Sequence, residues 1–295
     1  MRKTSVYLPD HLKRALGLRA AATGRSEAEV VRAAIEAEVR GEVRGGSAAP
    51  VPDPPVRGRL VGVGVGPGDP DLLTVRAVAA LRRADRVLAP ATAVDAVGRA
   101  ELIVRQAVPG VRIERVPFAM SPSRSSRDRS VAEAARVVAR HLDEGEVAFV
   151  TLGDPLTYST FSSVAAAVRR VRPATTVEQV PGIMAFQALA ARTGTVVTDE
   201  SQRLVVRTAL GSEDVGADLD DPRATVVLYK GGRRLPELAK AALAAGRLEG
   251  AVAGELLGMP GERVGPLAEV AAAGPASYLA TVIVPAAAAG NGGAP

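Results

Sequence analysis

A glycine-rich stretch, GVGVGPGDPDLLT at residues 62–74, follows a short apolar run and could bind a dinucleotide through backbone N–H groups. The dinucleotide fingerprint, G-x-G-x-x-G, brings the N-terminus of a helix to a pyrophosphate. Its third glycine should be residue 67 or residue 69, but these residues are Pro67 and Asp69. The fingerprint therefore fails in both registers.

The residues after the glycines also argue against a phosphate ligand. Asp69 and Pro70 are typical of an N-cap and a first helical residue, and they would open a helix over TVRAVAALRRAD. A carboxylate then stands where a phosphate would bind, and one N–H donor is missing. The acidic residue expected after the second strand is misplaced, because Asp85 precedes the apolar run RVLAP. We predict that no nicotinamide cofactor binds here. Close approach of the backbone to an uncharged or cationic ligand remains compatible with the sequence.

Two further stretches repeat the order of strand, tight turn and helix. VAFVTLGDPLTYSTF turns at Gly-Asp-Pro, residues 153–155, and VEQVPGIMAFQALAARTG turns at Pro-Gly, residues 181–182. Ligands bind to α/β sheets in a crevice at the carboxyl ends of the strands. We therefore predict that the three turns line one ligand site.

Composition excludes several kinds of chemistry. The 295 residues include no Cys, which excludes disulfides, thiolate metal sites and cysteine nucleophiles. With only His11 and His141, we expect no metal site and no Ser-His-Asp triad. The net charge of +5 suits phosphates or carboxylated ligands only where the arginines converge. No apolar run approaches the ~18 residues of a membrane span, and no signal peptide is evident, so we expect a cytoplasmic protein without a membrane partner.

The elements that position these turns follow from periodicity. Between residues 58 and 286, buried-strand patterns such as RLVGVGVG and ATVVLYKG alternate with helical stretches, which predicts an α/β fold. Residues 41–57 are rich in Gly and Pro and are predicted to be a linker. The tail, residues 287–295, is predicted to be disordered.

Residues 1–40 form a separate strand-helix-helix pattern. RKTSVYL alternates as a half-buried strand does, a helix is predicted from Asp10 to Gly24, and Ser26 with Glu29 forms a capping box for a second helix. The unit is too small to bury its own core. It resembles the ribbon-helix-helix family, and the resemblance implies that two chains pair their strands and that Lys3, Ser5 and Tyr7 read DNA bases. The alternative is a dimerisation arm with no DNA role.

The motifs of the main body have a specific order. G-x-G-P-G-D-P-x-L-L-T, L-G-D-P-x-x-Y-S-T, V-P-G-I, V-L-Y-K-G and M-P-G-E-R-V resemble, in this order, the tetrapyrrole methylase family over about residues 58–285. The long spacer with VPFAMS and SRDRSVAEAARVVARHLDEG is most similar to members that methylate C20 of precorrin-2 in cobalamin biosynthesis. The resemblance implies a homodimer whose chains each have two α/β domains, residues 58–182 and 183–286, with S-adenosylmethionine in the cleft between them.

The resemblance also assigns residues. This cofactor has no phosphate and carries a sulfonium cation, which agrees with the absence of phosphate-binding features in the first turn. The residues implied at the cofactor are Pro67, Gly153, Asp154, Pro155, Thr157, Met184, Ala185, Tyr229, Lys230 and Ala253. The acceptor would be a polycarboxylated macrocycle, which needs arginines. The residues implied at this substrate are Arg124, Arg127, Tyr158, Arg233 and Arg263.

Simpler interpretations stand beside these assignments. Asp69 is favoured as a helix cap over a catalytic carboxylate, Asp154 could be only a cap, and Tyr158 could be packed in the core. The arginines of the polar loop at residues 124–129 could be a solvated face. The chemistry would be in-line displacement at the sulfonium methyl by the C20 meso carbon, so the protein mainly supplies positioning and a dry cleft. No catalytic residue is assigned.

Three motifs depart from the family pattern near the predicted cleft. Ala89 stands where the family usually has Tyr before Pro, Met184-Ala185 replaces Ser-Ser, and Gly258 replaces Thr before Met-Pro-Gly-Glu. These departures bear on the identity of the acceptor. The alternatives are methylation of another corrinoid or a non-tetrapyrrole acceptor, or a DNA-binding regulator whose methylase-like body senses S-adenosylmethionine or a corrinoid.

Overall fold

The computed structural model describes residues 10–39, 58–93, 95–118, 124–199, 201–210 and 215–287. The chain divides into two units, Met1–Pro52 and Asp53–Pro295. The predicted ribbon strand with Lys3, Ser5 and Tyr7, the linker at residues 41–57 and the tail from residue 288 lie outside the described residues, as does the side chain of Arg124.

Two helices make up the described part of the first unit. They are α1, Asp10–Thr23, and α2, Glu27–Val39, and α1 ends before Gly24, which has a φ of +63°. Ser26 N–H donates to Glu29 Oε2 at 2.8 Å, and Glu29 N–H donates to Ser26 Oγ at 3.3 Å. This geometry confirms the predicted capping box. The hydrogen bond from the Ser26 backbone also holds the pKa of the Glu29 carboxyl below its usual range.

The second unit begins with a five-stranded parallel sheet whose strand order is β3-β2-β4-β1-β5. Its strands are β1 Arg59–Gly64, β2 Arg86–Ala91, β3 Ile113–Pro117, β4 Val147–Thr151 and β5 Thr176–Val180. The helices that follow these strands are α3 Val75–Arg83, α4 Arg99–Ala107, α5 Arg124–His141, α6 Phe161–Val171 and α7 Ala185–Thr193.

Side chains of this sheet alternate between two cores. Leu60 and Phe149 pack in a core with residues of α5 and α6, whereas Val61 and Ala148 pack in a core with residues of α3 and α4. Helices therefore cover both faces, which explains the continuous apolar runs of the central strands. Each of these four residues is fully buried.

A second five-stranded sheet of mixed direction follows, with strand order β6-β7-β10-β8-β9. Its strands are β6 Arg203–Thr208, β7 Ala224–Tyr229, β8 Val252–Glu255, β9 Arg263–Pro266 and β10 Thr281–Val284. Its helices are α8 Gly216–Leu219, α9 Leu235–Ala244 and α10 Leu267–Ala272. Only β6 and β7 run parallel, and the remaining ladders are antiparallel. The predicted α/β class is confirmed.

Two local predictions were wrong in detail. Asp69 caps only a 3₁₀ turn, Pro70–Leu72, and α3 begins separately at Val75, because Thr74 supplies a new cap through a 3.0 Å bond from Ala77 N–H to its hydroxyl. The arginine stretch predicted as a polar loop forms the first turns of α5. Its apolar residues farther along the helix pack against the sheet, and this packing extends the helix back through the polar residues.

Within the described residues, no helix is long and apolar enough to cross a membrane. The same residues contain no group of three or more side chains that could hold a metal ion.

Candidate functional site

The three predicted turns lie side by side, because β4, β1 and β5 are adjacent in the first sheet. Their carboxyl ends therefore meet at one edge. Hydrogen bonds join the first two turns directly. Gly153 N–H donates to Gly66 O at 2.8 Å, and Val65 N–H donates to Thr151 O at 2.9 Å. We name residues 64–69, 152–158 and 181–184 the loop cluster.

Close contact between backbones explains the glycines of the loop cluster. A Cβ built on Gly182 would lie 2.1 Å from Gly153 O, and one built on Gly64 would lie 2.5 Å from the same atom. Gly153 itself has a φ of +64°, and no atom lies within 4 Å of its Cβ position apart from its chain neighbours. The turns thus pack tightly against one another but leave the backbone at Gly153 open on one side.

Both aspartates of the Gly-Asp-Pro turns bond to backbone N–H groups. Asp69 Oδ1 accepts from Asp71 N–H at 3.0 Å, which confirms its interpretation as a cap. Asp154 accepts from Leu156 N–H at 2.8 Å and from Gly182 N–H at 3.3 Å. Asp154 therefore links the second turn to the third, and its predicted bond to a cofactor stays a prediction.

The first turn also packs against the loop between β8 and β9 of the second sheet. A Cβ on Gly68 would lie 1.9 Å from Leu257 O, and one on Gly258 would lie 2.3 Å from Asp69 N. Gly258 has a φ of +71°, a conformation that disfavours threonine. The departure at this position is thus explained by close backbone packing between the two segments.

A charged side chain strengthens this contact. Arg192 of α7 forms an ion pair with Glu262 and lies 3.9 Å from a carboxylate oxygen of Asp69. Glu262 in turn accepts a hydrogen bond from Gly258 N–H at 2.5 Å. Sequence reasoning missed Arg192 and Glu262, although Glu262 belongs to the M-P-G-E-R-V motif.

Three residues other than glycine have a positive φ in the described part of the chain, and all three follow strands. Tyr158 (+50°) lies in the turn after β4, Lys230 (+62°) follows β7 directly, and Leu256 (+54°) follows β8 directly. Such conformations are unfavourable for side chains and concentrate at functional sites. Their positions mark the carboxyl ends of strands from both sheets.

Tyr158 and Lys230 connect the two sheets. The Tyr158 hydroxyl donates to Val206 O at 2.7 Å, and Lys230 Nζ donates to Tyr158 O at 3.2 Å. The rings of Tyr158 and Tyr229 lie 6.2 Å apart between centroids. Tyr158 is 46% exposed, so it is not packed in the core.

The start of α7 lies beside Tyr229. Phe186 N–H donates to the Tyr229 hydroxyl at 3.2 Å, and burial raises the pKa of that hydroxyl well above its usual range. Met184 and Ala185 immediately precede Phe186 and are half-buried. The structure therefore brings these predicted residues to the loop cluster together with Tyr229 and Lys230.

Other predicted cofactor residues have different environments. Pro67 and Pro155 are buried in the loop cluster, and Thr157 is half-buried there. Ala253 lies on β8 with its side chain fully buried in the core of the second sheet. The structure does not bring the Ala253 side chain to the loop cluster.

The arginines predicted at the substrate differ in their pairing. Arg263 forms an ion pair with Glu255, a buried residue that also accepts from Ser277 N–H. Its charge is therefore already compensated inside the protein. Arg233 is exposed in the 3₁₀ turn Gly232–Arg234.

Arg127 lies near a tyrosine that sequence reasoning missed. Burial raises the pKa of the Tyr278 hydroxyl, and the positive charge of Arg127 opposes that shift. Tyr278 lies in the loop before β10, where the sequence carries no motif that could have indicated it. Lys230 Nζ lies 5.8 Å from the centre of the Tyr278 ring. Tyr278 therefore lies near both Lys230 and Arg127.

Comparison with known proteins gives consistent matches. The sequence model of the family described as Tetrapyrrole (Corrin/Porphyrin) Methylases matches residues 59–271. Over 239 residues the chain is 33% identical to the precorrin-2 C(20)-methyltransferase of a Sinorhizobium species, which covers 77% of this chain and 95% of that protein. Over 232 residues it is 30% identical to the cobalt-precorrin-2 C(20)-methyltransferase of Salmonella typhimurium strain LT2, covering 78% and 97%.

A solved structure extends the similarity to the fold. The uroporphyrin-III C-methyl transferase from Thermus thermophilus, complexed with S-adenyl homocysteine, superposes with a TM-score of 0.54 at 26% identity. The superposition covers 77% of this chain and 92% of that protein. The range matched by the family begins at residue 59, so the similarity does not extend to the arm at residues 1–40.

Proposed function

Because this chain belongs to the tetrapyrrole (corrin/porphyrin) methylase family, we propose that it is an S-adenosylmethionine-dependent methyltransferase that methylates C20 of precorrin-2. The observation that carries the proposal is the convergence of three glycine turns at adjacent strand ends, in a chain whose similar relatives bear this activity in their names. We place the reaction in the cytoplasm, with the enzyme as a homodimer.

The residues of the loop cluster fit this cofactor. The backbone at Gly153 is open where a Cβ would stand, so a ligand can approach it closely. Asp69 occupies the N-cap where a phosphate would otherwise bind, which suits a ligand without phosphate. We assign the cofactor to Pro67, Gly153, Asp154, Pro155 and Thr157 in the loops after β1 and β4, to Met184 and Ala185 after β5, and to Tyr229 and the backbone of Lys230 at the end of β7.

The mechanism asks the protein for positioning more than for proton transfer. When bound, S-adenosylmethionine would supply a methyl group on a cationic sulfur. The electron-rich C20 meso carbon would bond to this methyl carbon as the methyl–sulfur bond breaks in line, S-adenosylhomocysteine would leave, and the meso proton would pass to water or a carboxylate. The loop cluster would hold the cofactor through backbone contacts, and Tyr158 with Arg127 and Arg233 would hold the acceptor. Binding both reactants in this region lowers the activation barrier in two ways. It aligns the meso carbon with the methyl group, and it excludes water from the reacting atoms.

Mass spectrometry tests the proposed reaction. Purified protein is incubated with S-adenosylmethionine and precorrin-2, with cobalt-precorrin-2 in a parallel reaction because one similar relative is named for that acceptor. We expect one methyl group to be added, and nuclear magnetic resonance with a ¹³C-labelled methyl should place it on C20. Methylation of neither acceptor by a protein that binds the cofactor would refute the proposed acceptor.

For the arm, we propose that residues 1–40 pair with those of a second chain and bind DNA through Lys3, Ser5 and Tyr7. Two features of the described helices support pairing. Leu18 and Ile35 expose 74% and 52% of their surface, and both lie in a unit that is too small to bury a core of its own. Pairing with a second copy would bury such side chains.

A further inference from the structure

Lys230 has an unusual environment for a cation. It is half-buried, and burial lowers the pKa of its ammonium group. Nζ donates to the backbone carbonyl of Tyr158 at 3.2 Å and lies 5.8 Å from the centre of the Tyr278 ring. Both partners are uncharged, so they compensate only part of the lost hydration.

The neighbouring cations differ from Lys230 in this respect. Arg207 pairs with Asp218, Arg234 with Glu237 and Arg263 with Glu255. Within the described ranges of the chain, Lys230 forms no ion pair with a carboxylate. A partly desolvated charge is costly unless an opposite charge compensates it. Lys230 is therefore a partly desolvated cation of this region whose environment favours an anion from outside the chain.

The backbone fixes this position. Lys230 and its hydrogen-bond partner Tyr158 both have positive φ angles, +62° and +50°. One follows a strand of the second sheet and the other lies in a turn of the first, so the contact requires both sheets. Unfavourable backbone conformations that persist in pairs indicate that the surrounding fold holds this contact in place.

We propose that Lys230 binds a carboxylate of the ligand, with its Nζ between Tyr158 and Tyr278. This inference rests on the proposed function, which supplies two sources of that group: the acidic side chains of the acceptor and the amino-acid end of the cofactor. Arg127 places a second positive charge close enough to affect Tyr278, and Arg233 is exposed on the loop that follows Lys230. Several cations around one site favour a ligand with several carboxylates, which is the acceptor.

Two substitutions separate charge from size. Lys230→Met removes the charge and keeps the length of the side chain, whereas Lys230→Arg keeps the charge. Lys240→Met is the matched control, because Lys240 is an exposed lysine on α9. Uroporphyrin III, an octacarboxylate porphyrin, serves as a fluorescent probe of the acceptor side, and calorimetry with S-adenosylhomocysteine reports on the cofactor side.

We expect Lys230→Met to weaken uroporphyrin III binding by about tenfold or more, the effect of losing a charge-assisted hydrogen bond, while Lys230→Arg recovers part of it. S-adenosylhomocysteine binding should then change less than about twofold. If S-adenosylhomocysteine binding falls tenfold instead, the proposal holds and the carboxylate belongs to the cofactor. If neither ligand distinguishes Lys230→Met from Lys240→Met, the proposal is overturned. Neither titration requires turnover, so the absence of methylation of both precorrin-2 and cobalt-precorrin-2 would refute the proposed function separately.

Discussion

Gly153 and Gly182 face each other in the loop cluster but restrict substitution in different ways. A Cβ on Gly182 would meet Gly153 O at 2.1 Å, whereas the Cβ position at Gly153 is open. The constraint at Gly153 is its φ of +64°, which costs a side chain about 1 kcal/mol. Packing therefore requires glycine at position 182, whereas the positive φ favours glycine at position 153.

The first prediction uses this difference. Gly182→Ala should lower the free energy of unfolding by about 2–3 kcal/mol, because the new methyl group cannot fit without moving the turns. Gly153→Ala should cost only about 1 kcal/mol but should weaken binding of S-adenosylhomocysteine, because its methyl group enters the ligand space. Urea denaturation and calorimetry on the same samples measure both effects. A folded Gly153→Ala protein with wild-type affinity would remove this turn from the cofactor site.

Among the elements of the first sheet, buried carboxylates join helices to strands. Glu101 of α4 is fully buried and accepts from Arg115 of β3 at 2.7 Å and from Arg105 at 2.8 Å. The hydrogen bond from Arg115 is the main cause that holds the pKa of Glu101 below its usual value of 4.5. The ion pairs thereby fix α4 against the edge strand β3.

This lowered pKa predicts a pH dependence. A carboxyl whose pKa is lower in the folded state stabilises the protein fully above its unfolded pKa, and the contribution is lost as the pH falls through the folded pKa. Glu101→Gln should therefore cost about 3 kcal/mol at pH 7, where it leaves two arginines without their carboxylate. The difference from wild type should shrink below pH 4.5. Urea denaturation between pH 3 and pH 7 tests this, and a constant difference would contradict it.

In the second sheet, a buried arginine joins the elements by donating to backbone carbonyl groups. Arg247 is buried, and its guanidinium donates to five carbonyl oxygens at the ends of α8, β7 and β10. These contacts include Leu219 O at 2.8 Å and Pro285 O at 2.6 Å. One planar guanidinium thus provides hydrogen-bond donors for the backbone carbonyl groups at the ends of three elements.

Arg247→Met should consequently destabilise the protein by about 3 kcal/mol, because several buried carbonyl groups lose their donor. Arg247→Lys should restore only part of this, since an ammonium group cannot match the planar fork of a guanidinium. Thermal unfolding in parallel with the exposed control Arg233→Met measures the effect. Equal stability of the Arg247→Met and Arg233→Met proteins would show that the carbonyl contacts contribute little.

For the whole molecule, the motifs predicted the three turns and the α/β class, because each turn is local in the chain. The contact of Gly182 with Gly153 and Gly64 was not predictable, since it depends on the order β4-β1-β5, which brings distant segments together. Arg263 was one of the arginines predicted at the substrate, and in the structure it forms an ion pair with Glu255 across the β8–β9 ladder. Its pairing depends on strand register, which a motif does not reveal.

The residues that we propose for the site all lie in the second unit, in loops of both of its sheets. Lys230 donates a hydrogen bond to Tyr158, and Gly258 packs on Asp69. Loops of the second sheet therefore contact the loops of the first sheet directly. Every contact that we assign to cofactor or acceptor therefore falls after residue 58. The first unit, Met1–Pro52, contributes none of the assigned residues, and this predicts that the two units have separable activities.

Deleting residues 1–45 tests this separation. If the arm binds DNA as a paired ribbon, the full-length protein should bind DNA with an affinity that falls as salt rises, because phosphate contacts release counterions. The truncated protein should lose this binding, and Lys3→Ala with Tyr7→Ala in the full chain should weaken it without truncation. Methyl transfer should remain within about twofold of wild type in both, because the loop cluster and Lys230 are untouched. Electrophoretic mobility shifts and the methylation assay measure the two activities, and a truncated protein that folds yet loses methyl transfer would show that the arm belongs to the enzyme.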